Sequence, residues 1–390
     1  MKPPVPTNQG LSRRTWLVLV GTSLSACGGG GGGGTGGVTA GLAPGTGGTG
    51  AALYSQGAIS GFGSVIINGI RFDDSLASVR VDGRAAASTE LRLGMVAGVQ
   101  GTRSTTDTTL GTANVIEVWS IAQGLVTNVN GRHFETSGMT IQTDSNTSLE
   151  GFDAASPLFG GQTVTVWGLQ ADADGALWTA TRVAVVNASD NRVSTGLVRR
   201  VGDQYTVNDW TLSGAATEAL RAGQVVRVQG MQGSGSTMEV SGVRQQDSGV
   251  DAAAGSLLEI EGVVTQVLTG NRFMVGNITV ECSSPALLAI ASGLALGDRI
   301  EVYGSWTATV LVASQIEFEG SQSQEIEIEA RIEQFVSLSN FVLRGQRCDA
   351  SSAVFKNGKA TDLQHWTGKV EVKGYKSGDV LRVTELEFAK

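Results

Sequence analysis

Few side chains in this 390-residue chain have the type and spacing for acid–base, nucleophilic or metal chemistry. The two histidines lie far apart: His133 in Asn130-Gly131-Arg132-His133-Phe134, and His365 in Asp362-Leu363-Gln364-His365-Trp366. Neither has the cysteine or histidine neighbours that a zinc site needs, so each reads as a surface or packing residue. Asp172-Ala173-Asp174-Gly175 and Asp73-Asp74 offer oxygens like the start of a calcium loop. The further ligands and the distal glutamate are missing, and a hairpin turn accounts for Asp-Gly. Glu325-Ile326-Glu327-Ile328-Glu329 alternates acid with apolar residues, as a half-buried strand with a charged outer face does. A carboxylate pair for glycoside hydrolysis would also need a cleft between its members. The Ser-Gly clusters at Ser60–Ser64 and Gly233–Ser236 fall between strand patterns, not in a strand–turn–helix nucleophile elbow. The glycine runs lack the Lys-Ser/Thr of a phosphate loop. The sequence therefore leads us to expect no catalytic residue, no cofactor and no metal.

The cysteine most suited to modification is Cys27. Before it come a basic head (Lys2, Arg13, Arg14), a short apolar run (Trp16–Val20) and the small residues Leu24-Ser25-Ala26. These are the three zones of a cleavable secretory signal, residues 1–26. The apolar run is far shorter than the roughly 20 residues that cross a bilayer as a helix. Leu24-Ser25-Ala26-Cys27 resembles the lipobox of bacterial lipoproteins. That resemblance implies lipidation of Cys27, and Gly28 after the cysteine implies the outer membrane. Ser12-Arg13-Arg14-Thr15-Trp16-Leu17 resembles a twin-arginine export signal, with Trp16 and Val18 departing from its usual residues; an ordinary Sec signal is the alternative. Residues 27–52 are dominated by glycine, with threonine, alanine and proline, and read as a flexible tether.

Charge narrows the partners. The formal net charge is −8, and loss of Lys2, Arg13 and Arg14 with the signal takes it to −11. An acidic body repels phosphate backbones, so nucleic acid is a disfavoured partner. Anionic headgroups are disfavoured for the same reason.

The body repeats itself. A Gly, Val/Ile-x-Val, Gly element appears as Gly161–Gly168, Gly223–Gly230 and Gly297–Gly304, more weakly as Gly94–Gly101, and shortened as Gly368–Gly374. Period-two alternation before and after each copy gives about five short strands per unit. Five units are expected, at 53–120, 121–190, 191–250, 251–322 and 323–390. A short apolar stretch such as Ala286–Ile290 before the fourth strand suits one helical turn. The fold class is all-β: a tandem array of small OB-like barrels, with small open sandwiches as the alternative. The closing glycines are expected at bulges or barrel corners. Cys282 and Cys348 fall at similar phases of units four and five. They could pair in an oxidising compartment or stay as two buried thiols. The tryptophans, one or two per unit, suit core packing, or sugar stacking if they line one face.

Gly57-Ala58-Ile59-Ser60-Gly61-Phe62-Gly63, Asn68-Gly69-Ile70-Arg71-Phe72 and Val79-Arg80-Val81-Asp82-Gly83 resemble a bacterial repeat family known as domain of unknown function 5666. The resemblance is best over residues 57–118, drifts over the other units, and implies small β-domains on a lipid-anchored tether. It implies no catalytic residues. The expected function is a non-enzymatic binding or scaffolding protein of the cell envelope, facing the periplasm or the cell surface, with envelope proteins or glycans as partners. The competing expectation is an envelope hydrolase with a site between units.

Overall fold

Alternating apolar and polar residues make strands here because one face of each strand turns to a barrel core and the other outwards. Val65–Ile67 reads buried, half-buried, buried, and Ile278–Cys282 repeats the pattern over five residues. A computed structural model describes residues 50–152, 158–246, 250, 252–319 and 325–389. The expected signal peptide, Cys27 and the tether up to residue 49 lie outside the described residues.

The strands close into five small barrels of one topology. In barrel 4 the strands are Leu257–Val267, Arg272–Val275, Ile278–Cys282, Arg299–Trp306 and Val310–Phe318. The first pairs antiparallel with the second and the fourth, the second with the third, and the fourth with the fifth. A parallel ladder between the third and fifth closes the ring. This order, 1-2-3-5-4-1, with a short helix between the third and fourth strands, is an OB-type barrel. The helix, Pro285–Ala291, starts where Ser284 accepts the Leu287 N–H at 3.2 Å and Pro285 takes the first turn.

The same circuit recurs in barrel 1 (Gly50–Val118), barrel 2 (Ala122–Val185), barrel 3 (Asn191–Gln245) and barrel 5 (Glu325–Phe388). Barrel 1 begins inside the stretch read from sequence as tether. Gly50, Ala51 and Ala52 pair with Ser104, Arg103 and Thr102, because the long fourth strand offers ladder positions that low-complexity composition does not reveal.

The five closing glycines share one job. In every barrel the ladder between the fourth and fifth strands slips by one residue at Gly101, Gly168, Gly230, Gly304 or Gly374. A Cβ at these positions would lie 2.0, 2.5, 2.1, 2.1 and 2.1 Å from a carbonyl oxygen of the fifth strand. The glycine thus lets two backbones touch where the barrel turns its corner, as the sequence led us to expect. The extra residue on the fifth strand is a hydroxyl amino acid in barrels 2 to 5: Thr181, Ser241, Ser314 and Thr384. Ser241, Ser314 and Thr384 donate to the carbonyls of Gln229, Tyr303 and Lys373 at 3.3, 3.1 and 3.1 Å.

The barrels do not follow one another like beads. The first strands of barrels 1 and 4 run parallel and paired, Leu53–Gln56 against Leu257–Ile260. Gly61 and Phe62 of barrel 1 pair with Glu327 and Ile328 of barrel 5. One apolar cluster runs through barrels 1 and 5 and takes in Trp167 and Ala184 of barrel 2. Barrels 2, 3 and 4 have their own cores. In a solenoid each repeat would touch only its sequence neighbours; here barrel 1 is the hub.

Cys282 and Cys348 are free and fully buried, one in the core of barrel 4 and the other in the cluster shared by barrels 1 and 5. The disulfide considered from sequence is therefore replaced by two separate thiols. Equivalent positions of two barrels point into two different cores. Burial raises the thiol pKa of both. Neither should react with a thiol-specific chromogenic reagent while the chain is folded, and both should react at once in denaturant. Rapid labelling of the native chain carrying Cys27→Ser would contradict this placement.

Candidate functional site

Most residues singled out in the sequence have structural duties. His133 opens the second strand of barrel 2, His365 ends a short 3-10 helix in barrel 5, and both are exposed. They belong to different barrels and form no pair. Asp172 accepts the Ala176 and Leu177 N–H groups at 2.9 and 3.0 Å, so its carboxylate closes a hairpin. Asp73 accepts from Ser75, which lowers its pKa. Glu327 pairs with Arg71 of barrel 1, and Glu329 with Lys369. Among the described residues, no group of three or more His, Cys, Asp or Glu side chains could hold a metal ion. Among them too, no helix is long and apolar enough to cross a membrane.

The tryptophans divide between core and seam. Trp167, Trp178, Trp210 and Trp306 are buried. Trp366 packs edge-on against Phe388, with ring centroids 4.9 Å apart. Trp119 lies at the junction of barrels 1 and 3, with the guanidinium groups of Arg227 and Arg244 at 5.3 and 4.7 Å from its ring. Trp119 and Trp178 share one cavity wall, and the other rings are engaged in packing.

What the sequence could not show is a cavity where barrels 1, 2, 3 and 4 meet. It measures about 120 Å³ and is partly open to solvent. A water molecule needs roughly 10–15 Å³ by this measure, so the space admits one compact small molecule. Each barrel supplies wall: Tyr54 and Gln56 from barrel 1, Trp178 and Gln170 from barrel 2, Gln246 from barrel 3, and Ile260 from barrel 4. Trp119 and Ile121, in the link between barrels 1 and 2, complete it. Amides dominate the polar lining. Gln170 Nε2 donates to the Asp172 carbonyl at 2.7 Å, and the Tyr54 hydroxyl donates to Gln56 Oε1 at 3.2 Å.

The two carboxylates of the cavity are already engaged. Glu261 is buried, accepts the Ala58 N–H at 2.8 Å and pairs with Arg299. Glu117 lies 3.9 Å from Arg80. A general acid–base pair needs a free carboxylate facing a substrate. These two instead tie barrel 1 to barrel 4 and one strand of barrel 1 to its neighbour. The lining offers shape, apolar contact, amide hydrogen bonds and the Arg244 guanidinium, which lies over the Trp119 ring. No sequence signal could have located the site, because its residues come from four barrels and lie more than two hundred positions apart.

Fold and site together define a class: an all-β protein of small OB-type barrels packed around a shared crevice. The model of the family described as domain of unknown function (DUF5666) matches residues 123–184 and again residues 261–317. These segments are barrels 2 and 4, whereas the resemblance read from sequence was strongest over residues 57–118 in barrel 1. In barrel 1 the short strand Ser78–Val81, which pairs parallel with the fifth strand as Ser148–Glu150 and Val354–Lys356 do in barrels 2 and 5, is extended into a hairpin by Arg84–Ala86. No curated protein matches the chain.

Proposed function

We propose that this chain is a lipid-anchored cell-envelope protein that binds rather than transforms its ligand, and that the cavity between barrels 1 to 4 is its binding site. The observation that carries this reading is the cavity itself: concave, half apolar, amide-rich, with its carboxylates spent in ion pairs and backbone contacts. Such a lining suits an uncharged polyhydroxylated ligand, as at the end of an envelope glycan. Amides then exchange hydrogen bonds with hydroxyls, while ring and aliphatic walls cover the apolar face of the sugar. Cys27 as lipid anchor and the glycine tether would hold the body just off an outer membrane.

The test uses the full chain carrying Cys27→Ser, immobilised and exposed to a glycan panel and to envelope extract. Saturable capture of a neutral glycan is expected, with a change in tryptophan emission because Trp119 and Trp178 line the site. Gln246→Trp at the cavity wall should weaken capture at least about tenfold, roughly 1.4 kcal/mol. Absence of any saturable ligand would remove the binding reading. Capture unaffected by Gln246→Trp would remove the cavity as its site.

A further inference from the structure

The outer face of barrel 4 concentrates negative charge where barrel 1 covers it. Alternation turns Leu258, Ile260, Ile300 and Val302 into the core, so Glu259, Glu261, Glu301 and Tyr303 share the outer face. Glu301 stands opposite Glu317 on the fifth strand, and Glu319 follows just past that strand, its N–H donating to the Arg299 carbonyl. Barrel 1 pairs its first strand alongside the first strand of barrel 4, and in this setting Glu259 is 3% and Glu261 7% exposed.

The compensation is incomplete. Facing these carboxyls from barrel 1 are the Ser55 hydroxyl, which donates to Glu259 at 3.5 Å, the Ala58 N–H, which donates to Glu261, and Arg103, whose guanidinium lies over the Tyr303 ring at 5.0 Å. From barrel 4 itself comes Arg299, engaged with Glu261 and, at 3.8 Å, with Asp144 of barrel 2. Lys376 of barrel 5 lines the small pocket that Glu319 and Arg299 share, but its ammonium donates to the Thr147 carbonyl and the Ser148 hydroxyl. Among the described residues, the buried or half-buried Glu259, Glu261, Glu301 and Glu319 thus share two guanidiniums, while Glu317 is exposed. Glu259 is buried and Glu301, its diagonal neighbour across the two paired strands, is half-buried, so ionising both is costly and a shared proton is the least costly remedy.

We infer that the seam between barrels 1 and 4 is a proton-sensitive latch: it is closed while Glu259 and Glu301 hold a proton between them and loosens when that proton leaves. Burial, above all, raises both carboxyls, Glu259 to about 7 and Glu301 to about 9; repulsion by Glu259 adds to the second. In the unfolded chain both ionise near 4.5. The folded state therefore binds more protons above that value, and its stability falls as pH rises towards 9. Tyr54, Gln56, Ile260 and Glu261 belong both to this seam and to the cavity wall, so the latch would open the cavity in alkali and close it in acid. That consequence rests on the proposed binding role; the latch does not.

The experiment is hydrogen exchange on the full chain without ligand, corrected for the intrinsic pH dependence of exchange. Amides of residues 53–56 and 257–260 should lose at least about tenfold in protection between about pH 5.5 and about pH 9, while Val226–Val228 in barrel 3 keep theirs. Glu301→Gln, and independently Glu259→Gln, should flatten the seam profile. Constant seam protection in the unaltered chain, an equal loss in barrel 3, or a profile unchanged by both substitutions would overturn the latch. Because no ligand is present, a failed glycan capture would leave this result standing.

Discussion

Gly304→Ala should destabilise barrel 4 by at least about 3 kcal/mol, a large loss for one added methyl group. The new Cβ would sit 2.1 Å from the Val312 carbonyl oxygen, and its obstacle is backbone, not a movable side chain. Relief requires the fourth and fifth strands to separate at the bulge. That separation would strain the paired ladder on both sides of the bulge and the Ser314 hydroxyl bond to the Tyr303 carbonyl. Denaturant unfolding followed by the emission of Trp306, which is buried in this barrel, reports the loss. Gly297→Ala is the control. Gly297 has φ +91°, and nothing lies within 4 Å of where its Cβ would be. Its cost should stay near the ~1 kcal/mol of a left-handed residue without a clash. Equal effects at the two glycines would mean that the bulge contact is not what holds Gly304 in place.

Arg227→Ala should cost about 3–5 kcal/mol and loosen barrel 3 from barrel 1. The Arg227 side chain is 2% exposed, although it sits on the outside of its own barrel. Its guanidinium donates to the Ser120 carbonyl at 2.6 Å, to Asp82 at 2.8 Å and to Gln229 at 2.8 Å, with Trp119 beneath it. Removal leaves Asp82 without its charge partner and opens a void beside an indole. Arg227→Lys should lose most of the same stability, because one ammonium cannot reach three acceptors set around a planar fork. The readout is the appearance of a separate early transition for barrel 3, seen through Trp210. A shift under about 1 kcal/mol for Arg227→Ala would show that the contact is dispensable.

Local chemistry made the barrels legible in sequence. Val/Ile-x-Val between glycines specifies a strand with a bulge whatever its surroundings, because φ/ψ, Cβ sterics and period-two burial act within a few residues. The hydroxyl at the bulge had a signal as well: Ser241, Ser314 and Thr384 fall two residues before Val243, Ile316 and Leu386, in the same phase of the last strand. The short helix at Pro285–Ala291 was visible in its apolar run and in Ser284-Pro285.

Tertiary structure alone decided how the barrels associate, and with that the site. Glu259 and Glu261 read as solvent-facing positions of an amphipathic strand and would be so in an isolated barrel. They are buried because barrel 1 adds its first strand beside theirs, a pairing across about two hundred residues that no local pattern encodes. Arg227 likewise reads as a surface residue until Asp82 and Ser120 arrive from another part of the chain. Strand type depends on near neighbours in sequence, whereas burial of an outer face depends on which other face meets it, and here that meeting creates both the latch and the cavity.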